Sequence, residues 1–369
     1  MHIPFCRQKC HYCNFFSITS GRYRTPFFET LEEEIFRQRN YLSGQEIGSV
    51  YLGGGTPSLA DMTTLAGILG KIRAYYPVSR EAEITIEANP DDLSPELLRM
   101  YRQAGINRLS IGVQSFFEND LRYLNRIHSA DQALQSIRCV KEAGFTNFSI
   151  DLIYGIPTLS QSRWEKNLET AFLLDIPHIS AYALTVEPQT GLDVLIRKKK
   201  LPAPAEDETV AHFRLLQEKM RENGYEQYEI SNFCTDHRYS VHNSNYWKDI
   251  HYLGLGPSAH SYDGISRQWN ISSVIQYIEM IRRGERHYEK ELLTPEQKFN
   301  EYVMVSLRTC WGCDLQRIRE AFGTEREAYC ASRAQRHLQS GDLELTDHVL
   351  FLTDKGKILA DAIASDLFI

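Results

Sequence analysis

Apolar runs and amphipathic stretches alternate through the first half of the chain at intervals of about 30 residues. The apolar runs cover residues 49–52, 83–86, 108–113, 148–150 and 179–184, and residues 3–5 would end a first strand. The helical patterns between them cover residues 25–42, 65–75, 95–104, 130–143 and 163–174. Gly105 and Gly144 follow two of these helices, where a glycine commonly ends a helix. The alternation predicts βαβ units and therefore an α/β fold on a parallel sheet.

The pattern changes beyond residue 200. Residues 213–223 have a helical pattern, whereas residues 228–270 are rich in Tyr, His, Asn, Ser and Gly, which predicts loops and short strands. Further helices are predicted at residues 295–308, 315–322 and 327–338, then a hairpin of residues 343–345 and 349–352 and a last helix from Lys357. This order indicates a small, mostly helical, winged-helix-like C-terminal domain. We expect three parts, residues 1–200, 201–290 and 291–369.

Polar and glycine residues end the predicted strands. In chain order they are Gly53, Gly54, Gly55 and Thr56, then Glu87 with Asn89, then Gln114, then Asp151, then Thr185 with Glu187. The carboxyl ends of parallel strands lie on one face of a barrel or open sheet, which is where ligands bind in such folds. The sequence therefore predicts one site at that face.

Charge and composition exclude several classes of function. The chain has 369 residues with 41 Lys and Arg against 48 Asp and Glu, a formal charge of −7, so nonspecific nucleic-acid binding is disfavoured. The basic run at residues 197–200 is expected to be a solvated face. No apolar run reaches the roughly 18 residues of a membrane helix, and no signal peptide is visible, which predicts a cytoplasmic protein.

Three of the eight cysteines crowd the N-terminus, with Cys6, Cys10 and Cys13 spaced as C-x3-C-x2-C. In a reducing compartment such clustering suggests metal or redox chemistry rather than disulfides. Three thiolates suit a [4Fe–4S] cluster that keeps one iron open. The same residues could ligate zinc with His2 or His11 as the fourth ligand, or could be a chance grouping.

The other five cysteines give a weaker signal. Cys139, Cys234 and Cys330 are isolated and are expected to be small buried hydrophobic residues. Cys310 and Cys313 form a C-x2-C pair that could be redox-active, although no βαβ start precedes it.

The cysteine run, with Tyr12 before its last cysteine, resembles the signature of radical S-adenosylmethionine (SAM) enzymes. The resemblance implies that Cys6, Cys10 and Cys13 bind a [4Fe–4S] cluster whose fourth iron is chelated by the amino and carboxylate groups of SAM. In that family, electron transfer cleaves SAM to a 5′-deoxyadenosyl radical. The implied fold is a radical SAM partial (β/α)6 barrel with the small C-terminal domain described above.

Six further motifs narrow the resemblance. They are HIPFC at residues 2–6, GGGTPS at 53–58, IEANP at 86–90, GVQSF at 112–116, NRIH at 125–128 and IDLIYGIP at 150–157. In this order they resemble the radical SAM branch that contains anaerobic coproporphyrinogen III dehydrogenases and HemW-type haem chaperones. The resemblance runs from residue 2 to the C-terminus.

The resemblance also implies roles for single residues. Gly54, Gly55 and Thr56 match the loop along the methionine part of SAM, where glycines let backbone amides approach a ligand. The other SAM-contacting positions match Glu87, Gln114, Arg126 and Asp151. Tyr12 is expected to contact adenine.

Residues 253–259 contain G-x-G-x-x-A, which is nominally a dinucleotide fingerprint. The motif opens no βαβ unit and contains Pro257, so we reject it as a nicotinamide site. It matches a loop of this branch that is expected to close over SAM.

Two departures favour the chaperone side of the branch. The dehydrogenases carry a fourth cysteine two residues after the third, where this chain has Phe15, and they have a long segment before the cluster. Residues 242–247 form H-N-x-x-Y-W, typical of the HemW type. Because histidine is a common axial ligand of haem iron, His242 is a haem-contact candidate, the alternative being a packed aromatic corner.

The favoured function is a cytoplasmic haem chaperone that binds a [4Fe–4S] cluster, SAM and haem and passes haem to an acceptor haemoprotein. We expect no coproporphyrinogen dehydrogenase activity, no nucleic-acid partner and no transmembrane segment, and transient contact with a membrane surface stays open. The enzymatic alternative is an oxygen-independent coproporphyrinogen III dehydrogenase, and a third is a zinc-stabilised structural protein. Relatives have more residues before the HIPF run, so we expect that the natural protein starts upstream of Met1 or that this chain is truncated.

Overall fold

The computed structural model describes all 369 residues, which divide into two compact units. The first unit comprises residues 1–216 and 251–291, and the second comprises residues 217–250 and 292–369. The units therefore interleave along the chain, and the division into three consecutive domains stays a prediction. No helix has both the length and the apolar character needed to cross a bilayer.

The elements follow one another in alternation. As far as residue 200 they are β1 (His2–Ile3), α1 (Arg24–Arg37), β2 (Ile47–Gly54), α2 (Met62–Tyr75), β3 (Val78–Ala88), α3 (Pro95–Gln103), β4 (Arg108–Gln114), α4 (Glu118–Tyr123), α5 (Ala130–Glu142), β5 (Phe148–Tyr154), α6 (Gln161–Leu173), β6 (His178–Ala183) and α7 (Gly191–Arg197). Beyond it they are α8 (Glu206–Glu222), β7 (Glu226–Glu229), β8 (Asn232–Cys234), α9 (Val241–Trp247), β9 (His260–Tyr262), β10 (Ser266–Asn270), α10 (Val274–Arg283), β11 (Tyr288–Leu292), α11 (Pro295–Leu307), β12 (Cys313–Asp314), α12 (Leu315–Phe322), α13 (Thr324–Ser340), β13 (Leu343–Thr346), β14 (Val349–Leu352), α14 (Asp354–Lys357) and α15 (Ala360–Asp366).

The first six strands form a parallel sheet in the order β1-β2-β3-β4-β5-β6, which confirms the predicted α/β architecture. Most of the helices that follow these strands begin at side chains that accept a hydrogen bond from the first turn, the common way to satisfy otherwise unpaired amides, whereas α1 and α4 have no side-chain cap. These N-cap residues are Asp61, Ser94, Ser129, Ser160 and Thr190. Gly105 and Gly144 have φ of 86° and 79°, the left-handed conformation expected after a helix.

The sheet has one apolar and one polar face because side chains alternate along a strand. In β4, Leu109, Ile111 and Val113 have no exposed surface, and burying each contributes about 1.5–3 kcal/mol. The alternate positions of neighbouring strands are polar and lie side by side in the register. These pairs are Thr85 with Arg108, Glu87 with Ser110, Ser110 with Ser149, and Asp151 with Ser180. The polar face leads toward the carboxyl ends of the strands, where the predicted site residues lie.

The returning stretch of the first unit, residues 251–291, holds a small sheet in the order β11-β10-β9 and the helix α10. Tyr252 and Tyr262 exchange two backbone hydrogen bonds of 2.9 Å, which closes the hairpin that contains residues 253–261. Gly284 ends α10 in the left-handed conformation, with φ of 74°.

The second unit contains the three-stranded sheet β12-β14-β13 with α11, α12 and α13. The order of helices and strands matches the predicted winged-helix-like domain. Its hydrophobic core includes Cys313 and Cys330, both fully buried beside Leu350. The prediction of one last helix from Lys357 was wrong in detail, because two short helices, α14 and α15, occupy residues 354–366.

The prediction of only loops and short strands for residues 228–270 missed α9. Ser240 caps this helix by accepting a hydrogen bond of 3.3 Å from the amide of Asn243. Asparagine, serine and histidine are weak helix formers, so the sequence gives no helical signal there.

Candidate functional site

The three N-terminal cysteines lie in the loop between β1 and α1. Cys6 is buried, Cys10 and Cys13 are half-buried, and all three are free thiols. Burial raises the pKa of Cys13, and the neighbouring Cys10 and Cys6 raise it further. Thiolates crowded in this way favour a bound metal, whose positive charge keeps them deprotonated.

The loop fits a cluster by the chemistry of its donors. Soft thiolates are the usual ligands of iron–sulfur clusters. No three His, Cys, Asp or Glu side chains lie close enough together to hold a metal ion. The structure therefore contains the thiol donors, but they are not arranged as ligands around a metal. His11 and His2 are engaged elsewhere, since the Nδ1 atom of His11 lies 3.0 Å from the carbonyl of Tyr123 and that of His2 bonds the carbonyl of Pro257. Both contacts use Nδ1, and a histidine that ligates zinc through Nε2 commonly makes such a bond, so they do not separate zinc from a cluster.

Arg126 lies against the cysteine loop, just after α4. Its Nη1 donates to Cys10 Sγ at 3.3 Å, and its Nη2 donates to Asn89 Oδ1 at 2.6 Å and to the carbonyl of Gly112 at 2.7 Å. Burial alone would lower the pKa of this guanidinium, but Tyr12 and Cys10 raise it above its ordinary value. The buried Nε of Arg126 has no hydrogen-bond partner within the protein. A buried unpaired donor of this kind suits an anionic ligand group.

The glycine loop at the end of β2 packs tightly on β1 and on the start of the cysteine loop. Gly54 has φ of 114°, and a Cβ there would lie 1.8 Å from the His2 ring. A Cβ on Gly55 would lie 2.7 Å from the carbonyl oxygen of Phe5. The amide of Thr56 donates to that carbonyl at 2.7 Å. Only glycine fits at both positions.

Asn89 connects the glycine loop to the cysteine loop. Its Nδ2 donates to Thr56 Oγ1 at 3.4 Å while its Oδ1 accepts from Arg126. A continuous chain of contacts therefore runs from Thr56 through Asn89 and Arg126 to Cys10.

Two carboxylates lie on the polar face of the sheet. Glu87 accepts from the amide of Gly54 at 3.0 Å and from the hydroxyl of Tyr51 at 2.9 Å. Burial raises the pKa of Glu87 despite these bonds. Burial, followed by the charge of Glu87, raises the pKa of Asp151 to about 7. Near pH 7 Asp151 is therefore partly protonated, and its carboxyl group can donate as well as accept hydrogen bonds.

Gln114 and Tyr12 complete the group. Gln114 ends β4 with φ of 67° and is 7% exposed. Its Nε2 would lie 2.9 Å from a Cβ on Gly112, the residue whose carbonyl Arg126 binds. Burial raises the pKa of Tyr12, and the charges of Arg126, Cys10 and Asp151 all act on its phenol.

The structure thus brings together the predicted cysteine, glycine, carboxylate, amide, guanidinium and phenol groups. His242 lies in α9, which belongs to the second unit. It is half-buried, its Nε2 is 3.0 Å from the hydroxyl of Tyr246, and the two rings meet edge to face at 5.1 Å. The assigned ligand roles of all these residues stay predictions.

Sequence reasoning passed over Tyr51 and treated Asn89 only as a strand-end residue. Tyr51 could have been found, because it precedes Gly53 by two positions and therefore shares its face of the strand. Asn89 lies beyond the end of β3, and nothing local shows that it binds Arg126.

The C-x2-C pair of the second unit does not form a dithiol. Cys310 is exposed, whereas Cys313 is fully buried and interacts with Cys330. The predicted burial of Cys139, Cys234 and Cys330 is confirmed.

Comparisons with known proteins agree with this geometry. Residues 1–171 match the radical SAM superfamily, and residues 293–359 match the HemN C-terminal domain. The heme chaperone HemW of Bacillus subtilis is 32% identical over 366 residues, which cover 98% of this chain and 97% of that protein. HemW of Escherichia coli is 35% identical over 262 residues, covering 70% of this chain and 68% of that protein.

A solved structure shows the same fold. Coproporphyrinogen III oxidase (HemN) from Escherichia coli, a radical SAM enzyme, superposes with a TM-score of 0.86 at 21% identity, over 100% of this chain and 88% of that chain. The predicted partial barrel with a helical C-terminal domain is therefore confirmed. On this fold, and with HemW proteins matching it over nearly their full length, the chain belongs to the HemW family of the radical SAM superfamily.

Proposed function

We propose that this protein is a haem chaperone, which binds a [4Fe–4S] cluster and SAM, holds haem and transfers it to an acceptor haemoprotein. The observation that carries the proposal is the match to proteins named heme chaperone HemW, at 30–35% identity and over nearly the whole chain in several cases. The residues grouped with the cysteine loop form a polar cradle, and this cradle supports the cofactor part of the proposal. The cradle residues are Tyr12, Gly54, Gly55, Thr56, Glu87, Gln114, Arg126 and Asp151.

Cys6, Cys10 and Cys13 would hold the cluster as thiolates. When bound, such a cluster supplies an open iron for SAM and an electron for its cleavage. Arg126 donates a hydrogen bond to Cys10 and so stabilises the charged thiolate. Because Cys6 is buried and the other two are half-buried, the loop limits the access of water to this group.

The remaining cradle residues would orient SAM. Gly54 and Gly55 leave no side chain between their backbone and a ligand, and Arg126 has the fork geometry that suits a carboxylate. Asp151, with a pKa of about 7, and Glu87 can each accept from an amino group or a ribose hydroxyl when ionised. Gln114 offers both a donor and an acceptor, and Tyr12 offers an aromatic face for adenine.

His242 is the proposed haem contact. His242 is the second residue of α9, and its Nε2 is engaged with the hydroxyl of Tyr246. This contact would orient the imidazole ring. The motif rather than the geometry selects this residue.

The dehydrogenase alternative rests on the TM-score of 0.86 to HemN. At 21% identity that likeness shows the fold alone. Phe15, 66% exposed beside the cysteine loop, stands where the dehydrogenases carry their fourth cysteine. The chaperone is therefore the better-supported function.

Haem titration of the cluster-loaded protein tests the proposal. We expect a Kd of about 1 μM or tighter, or about −8 kcal/mol. His242→Ala should weaken binding or alter the haem spectrum while the iron content of the cluster stays unchanged. His237→Ala is the matched control, because His237 lies in the same unit and pairs with Glu226 at 2.9 Å. Absence of haem binding by the wild-type protein would refute the chaperone function, whereas an unaltered spectrum in His242→Ala would remove only the ligand assignment.

A further inference from the structure

Glu34 of α1 is a fully buried carboxylate that sequence reasoning did not single out. Four donors converge on it. The amide of Gly256 and the hydroxyl of Tyr277 donate to Oε2 at 2.7 and 2.6 Å, and Asn270 Nδ2 and His287 Nε2 donate to Oε1 at 2.6 and 2.9 Å. A carboxylate has about four acceptor positions, so each one is filled.

All four donors belong to the returning stretch, residues 251–291. The chain leaves the first unit after residue 216 and re-enters it at residue 251, so no short connection holds this stretch in place. A buried charge is costly unless hydrogen bonds compensate it, and here the compensation comes only if the stretch is docked. Glu34 therefore fixes the stretch onto α1.

The loop that Glu34 holds lies directly against β1. The amide of His2 donates to the carbonyl of Leu255 at 2.8 Å, and a Cβ on Gly256 would lie 2.3 Å from the carbonyl oxygen of His2. The opposite side of His2 contacts Gly54, where a Cβ would lie 1.8 Å from the ring. His2 is thus clamped between the loop of residues 253–258 and the glycine loop.

We propose that Glu34 is a positioning residue for SAM, which acts by holding residues 253–258 against His2 and thereby holding Gly54 in the shape that the ligand needs. The proposal rests on the proposed SAM site, and it adds a residue that touches neither the cluster nor SAM. Movement of the loop would release His2, whose ring supplies the three atoms nearest to a Cβ at Gly54.

Glutamine cannot replace the carboxylate at this position. If the new NH2 group faces Gly256 and Tyr277, the backbone amide of Gly256 is left unpaired in a buried place. If it faces Asn270 and His287, Asn270 must turn over its amide and His287 must change its tautomer to accept from it. Glu34→Gln keeps the size of the side chain, so its effect isolates the acceptor role from packing.

The test compares Glu34→Gln with two controls, all loaded with cluster anaerobically. Glu33→Gln changes the neighbouring residue of α1, which is 47% exposed in its side chain and pairs with Arg37. Leu168→Ala removes a fully buried side chain of α6 and supplies a variant destabilised elsewhere in the unit. The readouts are iron content, the Kd for SAM, and hydrogen exchange of the backbone amides of residues 253–258.

Glu34→Gln should keep the iron content of the wild-type protein. Its affinity for SAM should fall about tenfold, or by about 1.4 kcal/mol. The backbone amide hydrogen of Gly256 should exchange with solvent faster. Both controls should bind SAM like the wild-type protein, and equal losses in Leu168→Ala and Glu34→Gln would show that stability alone matters. Unchanged SAM affinity in Glu34→Gln would overturn the proposal. Failure of the wild-type protein to bind SAM would instead refute the proposed SAM site, which keeps the two outcomes distinct.

If Glu34→Gln fails to fold, Tyr277→Phe removes one of the four donors and keeps the ring. The expected result is a smaller loss of SAM affinity with unchanged iron content. An affinity equal to that of the wild-type protein would count against the proposal.

Discussion

The two units use cysteine in opposite ways. In the first unit, Cys10 and Cys13 are half-buried in a loop, and an arginine donates to Cys10. In the second unit, Cys313 and Cys330 are fully buried in a hydrophobic core. The hydrogen bond from Arg126 favours the thiolate of Cys10 in the first setting, whereas in the second the contact with Cys330, together with burial, raises the pKa of Cys313 and keeps that thiol neutral. Surroundings rather than spacing decide the role of a cysteine here.

Glycine shows the same contrast. Gly54 and Gly55 in the first unit admit no Cβ, because side-chain or backbone atoms of His2 and Phe5 stand within 3 Å of where it would lie. Gly341 in the second unit ends α13 with φ of 73°, and nothing lies within 4 Å of a Cβ there. Gly54 and Gly55 serve close approach and Gly341 serves only the turn, although Gly312 and Gly356 of the second unit are also closely packed.

The largest expected effect comes from the cysteines. Cys10→Ala should abolish the iron–sulfur absorbance of the reconstituted protein, because two thiolates cannot replace three ligands of a cluster. Cys330→Ala, the matched change in the second unit, should leave the absorbance intact and lower stability by about 1 kcal/mol through lost packing. Iron and sulfide analysis measures both. A full four-iron cluster in Cys10→Ala would contradict the cluster assignment.

The next effect comes from the glycines. Gly54→Ala should destabilise the protein by about 3 kcal/mol, because positive φ and overpacking against His2 both oppose a Cβ. Gly341→Ala should cost only about 1 kcal/mol, since φ alone opposes it. Denaturant unfolding measures the two values. Equal losses in the free energy of unfolding would show that the close packing around Gly54 adds nothing to the cost of a Cβ there.

Arg126→Lys should weaken SAM binding by about 10- to 100-fold, or about 1.4–2.7 kcal/mol, because lysine keeps the charge but loses the fork of donors. Arg308→Lys is the control in the second unit, where Arg308 bridges Glu229 at 3.2 Å and Asp361 at 2.7 Å. Its SAM affinity should equal that of the wild-type protein. Calorimetric titration of the cluster-loaded variants measures both, and an unchanged Kd in Arg126→Lys would remove Arg126 from the SAM site.

The smallest effect is one of pH. Asp151 has a pKa of about 7 in the folded chain against an ordinary 3.8, so between these values the folded state holds a proton that the unfolded state has lost. Stability from this group is therefore lost as pH rises from about 4 toward 7. Relative to the wild-type protein, Asp151→Asn should gain several degrees in Tm at pH 8 and little at pH 4, measured without cluster or SAM.

Asp61 gives the opposite sign and serves as the control. Its hydrogen bonds from Thr64 lower its pKa, so its contribution is present above pH 4 and is lost as pH falls through the lowered pKa. A difference between Asp151→Asn and the wild-type protein that does not change with pH would contradict the burial of a charged group at Asp151.

The sequence predicts those parts of the site that local pattern controls. Glu87 and Gln114 lie at the carboxyl ends of their strands as predicted, and the glycines indicate close approach. The prediction that a strand ends at Asp151 was wrong, because β5 continues to Tyr154, and Asp151 reaches the polar face through the alternation of side chains along the strand. What it does not predict are contacts between residues far apart in the chain. Glu34 sits in a run of three glutamates that resembles a solvated helix face, and its burial depends on donors that lie at residues 256–287.

Two other failures have physical causes as well. The C-x2-C spacing of Cys310 and Cys313 suggested a pair, but Cys313 lies in β12 of a small sheet and its thiol meets Cys330 in the core. The helix α9 is hidden by weak helix formers and depends on its Ser240 cap.

The central claim is that the barrel carries SAM and a cluster in the service of haem transfer rather than propionate decarboxylation. One anaerobic assay with excess SAM and reductant tests it, in which the cluster-loaded protein receives coproporphyrinogen III in one reaction and haem with an apo-haemoprotein in another. We predict transfer of haem to the acceptor and no protoporphyrinogen IX. Multiple turnovers to protoporphyrinogen IX without haem transfer would contradict the account in favour of the dehydrogenase.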